Sequence, residues 1–325
     1  MNPDRIQTLV QHDLERVDDL IRQSLQTDIE LLNATNRSLL ERPGKRLRPT
    51  LALLAAQACA GEVNEDTRRF AAATELLHNA TLLHDDVADN SPQRRGAPTV
   101  MALLGSRASV LLGDFWLVRA MERILDASRE ENRVIRIFSG TLSDLAEGEM
   151  LQLQKASSGD TTEADYLRII YDKTASLFVA AARSAAISVQ ATPAQEAAVC
   201  TYAENLGLAF QITDDIFDYQ ENSSIGKPVG QDLQEQKITL PLLGALQASP
   251  EKAAEIRRKV IHIEEHPEYQ AEIVAFVKAS GGMEYAIRRK DEYIGRAIAA
   301  LDVLPDGEGR QALVDLAGRV GQRKS

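Results

Sequence analysis

The chain has 325 residues, with 37 Lys and Arg against 48 Asp and Glu, a formal net charge of −11 at pH 7. Its 44% hydrophobic and 26% charged residues match a folded globular protein, which excludes a largely disordered chain. The acidic balance argues against a nucleic-acid partner, and no uninterrupted apolar run is long enough to cross a bilayer. The first segment, Met1–Leu20, carries acids early and lacks an apolar stretch, so no secretory signal is expected. Cys59 and Cys200 are too few for a disulfide framework, and a reducing cytoplasm fits. Good helix formers at helical periodicity dominate from there on. A first break at Arg42-Pro43-Gly44 leads into the cation-rich Lys45-Arg46-Leu47-Arg48-Pro49. After Gly61–Asp66 a long helix is predicted to run to His84-Asp85-Asp86-Val87-Ala88-Asp89. It stops in Asn90–Pro98, which holds Arg94 and Arg95. Ser109–Gly113 reads as buried helix, with Phe115 and Trp116 in the core or at a dimer interface. Thr162 with Asp165 forms a capping box opening a helix over Tyr166–Val189. Thr192-Pro193-Ala194-Gln195 opens the next helix, which ends in Asp214-Asp215-Ile216-Phe217-Asp218. Asn222–Gln231 is a further break, Ser249-Pro250 repeats the cap-then-proline pattern, and Leu304–Gly309 is the last break. No long linker and no repeat period divide the chain. The expectation is therefore an all-α fold, one domain over residues 1–325 built from about ten or more long helices.

The two Asp-Asp-x-x-Asp motifs carry the chemistry. Residues i and i+4 share a helix face, so Asp85 points with Asp89, and Asp214 with Asp218. Each motif closes an apolar helix, at the end where the helix dipole disfavours anions. That placement costs stability unless a cation occupies it. Oxygen-only donors select a hard cation, and Mg2+ keeps waters and bridges to phosphates, so two such clusters suit a polyphosphate. A solvated acidic face explains one such motif but explains two on apolar helices poorly. Basic loops adjoin both motifs and offer forked and point-charge donors to phosphate oxygens. His78 and His84 are six apart, which is a poor zinc pair, and His84 reads as a hydrogen-bonded helix histidine. His12, His262 and His266 read as surface residues, and Glu147 and Glu149 receive no role.

Five motifs in order, Gly44-Lys45-Arg46-Leu47-Arg48-Pro49, Leu82–Asp89 with Arg94-Arg95-Gly96, Asp172-Lys173-Thr174-Ala175, Phe210-Gln211 before Asp214, and Gly226-Lys227 with Lys237-Ile238-Thr239-Leu240-Pro241, make the chain resemble a known family. It is similar to the trans-isoprenyl diphosphate synthases, in their long-chain, octaprenyl-like branch, from Gly44 to about Leu243. The resemblance implies an all-α fold around a central cavity with both motifs at its mouth, a homodimer, and condensation of isopentenyl diphosphate with an allylic diphosphate such as farnesyl diphosphate. It implies Mg2+ ligation by Asp85 and Asp89 for two ions and by Asp214 for a third. Asp86 would support the first site, and Asp215 and Asp218 would hold the water shell of the third ion. Arg94, Lys173, Lys227 and Lys237 would contact the allylic diphosphate. Lys45, Arg48, His78 and Arg95 would contact isopentenyl diphosphate. Thr174 and Gln211 would place oxygens near the developing carbocation, and the departing diphosphate would take the final proton. Relatives often carry Gly immediately before the lysine at Lys237, where this chain has Gln236.

Product length is read from Ala80 and Thr81, about one turn before Asp85. Both are small, so a growing tail could pass, and a long product is expected; Phe138 and Met150 are candidate floor residues. A shorter-chain geranylgeranyl or farnesyl diphosphate synthase is the alternative. A class I terpene cyclase would lack the Gly-Lys-x-x-Arg-Pro segment and carry Asn and Ser or Thr in the second motif. A non-catalytic partner subunit would have lost aspartates, and all six are present.

Overall fold

A computed structural model describes residues 4–42, 44–94, 96–220 and 229–322. The chain groups into two compact units, Met1–Ser139 with Ala180–Cys200 and Val303–Leu313, and Gly140–Val179 with Thr201–Asp302 and Val314–Ser325.

The first unit opens with α1 (Arg5–Ser24), started by the Asp4 carboxylate accepting from the Ile6 amide at 3.1 Å. Ile6, Val10, Val17 and Ile21, spaced by helical turns, form its buried face. After α2 (Glu30–Leu40), α3 (Leu47–Ala60) begins behind Arg46. Arg46 sits at φ 49° and pairs with Asp18 at 2.6 Å, which ties the cation-rich segment back to α1. The long α4 (Glu65–Ala88) starts in a reciprocal Asn64–Thr67 capping box. A short antiparallel hairpin follows, β1 (Gln93–Arg94) and β2 (Ala97–Pro98), then α5 (Val100–Leu104) and α6 (Ser106–Leu125). α4 and α6 pack closely because Gly113 has no side chain: a Cβ there would lie 2.4 Å from Nε2 of His84. Ser109 Oγ donates to the Leu83 carbonyl at 2.8 Å across the same contact. Trp116 is buried in the core, its Nε1 donating to Asn36 Oδ1 at 2.9 Å.

α7 (Glu131–Ser158) runs in sequence from the first unit into the second, which holds α8 (Glu163–Ile170); most of α9 (Ser176–Ser188) and the start of α10 (Pro193–Asp218) belong to the first unit, and α10 ends in the second. α11 (Gln231–Gln234), α12 (Leu240–Ala248), α13 (Ala253–Ile261), α14 (Tyr269–Ala279), α15 (Gly282–Ala300) and α16 (Glu308–Gly321) complete the chain. The core of this unit gathers Ile212, Ile216, Leu233, Leu240, Ile273 and Val277.

The all-α expectation holds, and the single ladder among the described residues is the two-residue hairpin. Both capping boxes form as read, at Thr162–Asp165 and at Thr192–Gln195. Two local expectations change. The helix expected over Tyr166–Val189 is interrupted by a π-helical turn at Tyr171–Ala175. Ser249 makes no side-chain cap, and Pro250–Lys252 is a 3-10 turn before α13.

Candidate active site

The first acidic motif closes α4. The Asp89 amide donates to the Asp85 carbonyl at 2.8 Å, and Asn90 takes a left-handed conformation at φ 48° that ends the helix. Helical geometry thereby puts Asp85, half-buried, and Asp89, exposed, on one face a turn apart. His78 and Thr81 lie on the same side, and the Thr81 hydroxyl donates to the His78 carbonyl at 2.8 Å. Asp86 points elsewhere. It is buried and accepts from Arg94 Nε at 2.7 Å, so the hairpin holds Arg94 against the helix end. Asp86 and Arg94 also line an apolar-walled cavity of about 320 Å³ with Leu31, Leu39, Leu82 and Leu83. Lys45 is exposed ahead of α3, and Arg48 stands half-buried in its first turn.

The second motif, in the other unit, is built around the π-helical turn. Such turns insert one residue, rotate the side chains that follow, and recur at functional sites. Here two glycines permit it. A Cβ on Gly148 of α7 would lie 2.6 Å from Asp172 Cβ, and one on Gly207 of α10 would lie 2.7 Å from Ala175 Cα. Backbone therefore closes on the turn from both helices and holds Lys173 and Thr174 in place. Thr174 Oγ1 donates to Gln211 Oε1 at 2.9 Å, and Gln211 Nε2 donates to Asp215 Oδ1 at 2.9 Å. Lys173 pairs with Glu149. Gly207→Ala should destabilise the protein by about 1–3 kcal/mol, because its new methyl meets backbone that cannot turn away. Gly140→Ala, in α7 with no atom within 4 Å of the added Cβ, should be neutral or stabilising. Thermal melts of the two variants check the contrast.

Asp215 is buried and accepts on both oxygens, from Gln211 and from the Tyr166 hydroxyl at 2.6 Å. Asp218 accepts from the Gln231 amide at 3.0 Å and the Asp232 amide at 3.1 Å, so its carboxylate caps α11. The water-shell roles expected for Asp215 and Asp218 thus meet carboxylates already engaged within the protein. Burial, with Asp232 and Asp214 nearby, pushes the Asp215 carboxyl well above the ordinary carboxylate range, against the pull of Tyr166 and Gln211. Burial, and then Asp218, push Asp232 up to about 7, against the pull of Lys237.

Lys237 pairs with Glu235. Gln236 before it sits at φ 57°, the left-handed region that glycine enters without strain, and its side chain donates to the Ile261 carbonyl at 2.7 Å. The departure from Gly is accommodated by that bond. Arg95 and Lys227 lie outside the described residues. Sequence reasoning left Tyr166, Asp232 and Glu149 without roles; Tyr166 follows a legible capping box, but nothing local aims its hydroxyl at Asp215. Phe138 is fully buried in the first unit, whereas Met150 is 67% exposed in the second, so it is no floor residue. His84 meets the Val110 carbonyl at 3.3 Å and Asp114 at 3.2 Å, as a packed helix histidine.

The donor set suits Mg2+ held through a ligand. Among the described residues no group of three or more His, Cys, Asp or Glu is arranged as a metal cage. Mg2+ needs no such cage: one or two carboxylates, waters and substrate phosphates suffice. Asp85 with Asp89 on one helix end, and Asp214 beside acids whose crowding already raises their affinity for positive charge, are oxygen donors of that kind.

Comparison with known proteins agrees with this chemistry. The Polyprenyl synthetase family pattern matches residues 29–277. Octaprenyl diphosphate synthase of Escherichia coli (strain K12) is 40% identical over 324 residues, 99% of each chain. A short chain isoprenyl diphosphate synthase of Methanothermobacter thermautotrophicus is 34% identical over 315 residues, 95% of this chain and 96% of that one. The crystal structure of a polyprenyl synthase from Caulobacter crescentus, complexed with calcium and isoprenyl diphosphate, superposes with a TM-score of 0.91. It has 36% identity and covers 99% of this chain and 98% of that one. Among the described residues no helix is long and apolar enough to cross a membrane.

Proposed function

The chain belongs to the polyprenyl synthetase family and is a prenyltransferase, a long-chain trans-prenyl diphosphate synthase, and on that premise we propose how its residues divide the work. It condenses isopentenyl diphosphate with an allylic diphosphate, farnesyl diphosphate being the chosen primer, and repeats the step to an octaprenyl-like length. The observation that carries this reading is the direct hydrogen-bonded link from Thr174 through Gln211 to Asp215 of the second acidic motif. It ties oxygens suited to a developing cation to the motif whose first aspartate, Asp214, would hold Mg2+ for the diphosphate. The divalent cation and isoprenyl diphosphate held by the Caulobacter crescentus protein support the same reading.

Asp85 and Asp89 would hold two Mg2+ ions and Asp214 a third. Bound there, Mg2+ neutralises charge that builds on the diphosphate as its carbon–oxygen bond breaks. Arg94, Lys173, Lys227 and Lys237 bind the allylic diphosphate. Lys173 would exchange its Glu149 partner for a phosphate oxygen, and Arg94 would share its fork between Asp86 and the substrate. Lys45, Arg48, His78 and Arg95 bind the diphosphate of isopentenyl diphosphate. Thr174 and Gln211 oxygens face the allylic cation, an apolar surround keeps water from trapping it, and the released diphosphate accepts the proton lost after attack. The family pattern runs through segments of both units, and we take residues 1–325 as one functional domain.

A homodimer and a cytoplasmic location complete the proposal. Leu111, Val118 and Leu125, seven residues apart along α6, are all exposed. An apolar stripe at heptad spacing on a helix surface is what a second copy would cover. The enzyme is tested with labelled isopentenyl diphosphate, farnesyl diphosphate and Mg2+, followed by chain-length analysis. A ladder ending in long polyprenyl diphosphates supports the reading. Products that stop at three or four isoprene units favour the alternative, a geranylgeranyl or farnesyl diphosphate synthase, and no incorporation overturns both.

A further inference from the structure

Four side chains of the second unit form one run of hydrogen bonds that converge on Asp215. The Tyr166 hydroxyl donates to Asp215 Oδ2 at 2.6 Å, Gln211 Nε2 donates to Asp215 Oδ1 at 2.9 Å, and Thr174 Oγ1 donates to Gln211 Oε1 at 2.9 Å. Tyr166 is buried in α8, Asp215 in α10 and Thr174 in the π-helical turn, so the ends of the run stand on separate elements.

The run has a fixed polarity. A glutamine amide can present either its NH2 or its carbonyl to a neighbour, and a half-turn of the terminal torsion exchanges them. Asp215 Oδ1 takes its hydrogen bond from the NH2 of Gln211, and that orientation turns Oε1 toward Thr174. The hydroxyl of Thr174 has one proton, and that proton goes to Oε1. Away from the run, Thr174 then offers lone pairs alone, and Oε1 keeps its second lone pair. With the amide reversed, NH2 would face Thr174, the threonine proton would be released, and a positive hydroxyl hydrogen could point at an arriving cation.

We propose that Tyr166 and Asp215 are positioning residues that lock Gln211 and Thr174 into the orientation presenting electron pairs, and no protons, to the allylic cation. Tyr166 acts by occupying Asp215 Oδ2 and fixing the plane of the carboxylate, so that Oδ1 meets Gln211. Asp215 thereby differs in role from Asp214, although the two are adjacent in one motif. The inference rests on the reading of Thr174 and Gln211 as groups at the reacting centre.

Tyr166→Phe removes the anchoring donor, and Asp215→Asn removes the charge and lets the motif offer an NH2 to Gln211. Tyr166→Phe should lower kcat about tenfold and Asp215→Asn about a hundredfold, within the range for hydrogen bonds to charged groups. KM for both diphosphates and the Mg2+ concentration giving half-maximal rate should stay within about twofold of wild type. The decisive measurement is a double-mutant cycle of Tyr166→Phe with Thr174→Val, which leaves the threonine's shape but removes its oxygen. In the Thr174→Val background the kcat effect of Tyr166→Phe should shrink to less than twofold, whatever stability either change costs. Additive losses overturn the proposal, as does a wild-type kcat for Tyr166→Phe. An Asp215→Asn variant rescued by raised Mg2+ also overturns it, since that is the behaviour of a residue serving the ion. A wild-type chain that makes prenyl products but shows additive losses rejects this inference alone. A wild-type chain that incorporates no isopentenyl diphosphate rejects the reading beneath it.

Discussion

Asp85→Asn and Asp89→Asn, singly and together, should lower isopentenyl diphosphate incorporation by about a thousandfold or more while the fold stays as stable as wild type or becomes firmer. The activity loss follows if these residues are the proposed Mg2+ donors, because the ion would supply several kcal/mol of stabilisation to the leaving diphosphate. The stability gain follows from position. Asp85 stands in the last turn of α4 and Asp89 at its C-cap, where the helix dipole disfavours anions by about 0.3–1 kcal/mol each. They also face each other at i and i+4, where like charges add a few tenths of a kcal/mol of repulsion. Asp86→Asn reverses the pattern. Asp86 is buried against Arg94, so its loss leaves a buried ion pair half-made and should lower the melting temperature. Far-UV circular dichroism, thermal melts and Mg2+ titrations of turnover on the four variants separate the effects. Wild-type turnover in the Asp85→Asn and Asp89→Asn double variant would reject the metal role. A fall in its melting temperature as large as that of Asp86→Asn would show that the two carboxylates serve the fold.

What could be read in the chain and what could not divides by locality. The capping boxes at Thr162–Asp165 and Thr192–Gln195 involve groups three residues apart, so side-chain chemistry and spacing suffice to find them. The end of α4 at Asp89 is likewise local, since Asn90 tolerates the left-handed conformation that stops the helix. The π-helical turn at Tyr171–Ala175 has no such signal. It exists where Gly148 and Gly207, from helices distant in sequence, let backbone approach, and propensity over Tyr166–Val189 reads simply as helix. Within the second motif the spacing treats Asp214, Asp215 and Asp218 as one set. Burial then separates them: Asp215 turns inward to Tyr166 and Gln211, and Asp218 caps α11. The pairing of Lys173 with Glu149 was hidden for the same reason, because it joins α7 to the π-helical turn across a close approach that only packing creates. Met150 was misplaced because an apolar residue in an amphipathic helix does not declare which side of the stripe it occupies.

Ala80→Phe should shorten the product to a few isoprene units while the first condensation continues at a rate within about tenfold of wild type. Ala80 lies five residues before Asp85, about 7.5 Å down the helix axis at 1.5 Å per residue. It is 1% exposed, inside the apolar packing of α4, whereas Thr81 is half-buried with its hydroxyl bound to the His78 carbonyl. A growing prenyl tail needs a dry path flanked by small side chains, and of the two residues Ala80 is the one facing apolar surroundings. A phenyl ring there fills space that a two- or three-unit tail does not need and a longer tail does. The ring stands more than a helical turn away from the carboxylates, so ionisation and the first attack are spared. Overpacking costs about 1–3 kcal/mol when no space is available, so Ala80→Leu serves as a smaller plug that should shorten the product less. Product profiles at matched turnover, read beside melting temperatures, settle the matter. Shortening graded from Leu to Phe at near-wild-type first-step rates identifies Ala80 as the wall of the tail path. An unchanged chain-length profile in a folded Ala80→Phe protein would assign it to plain packing, and the long product would then need another explanation than the small residues before Asp85.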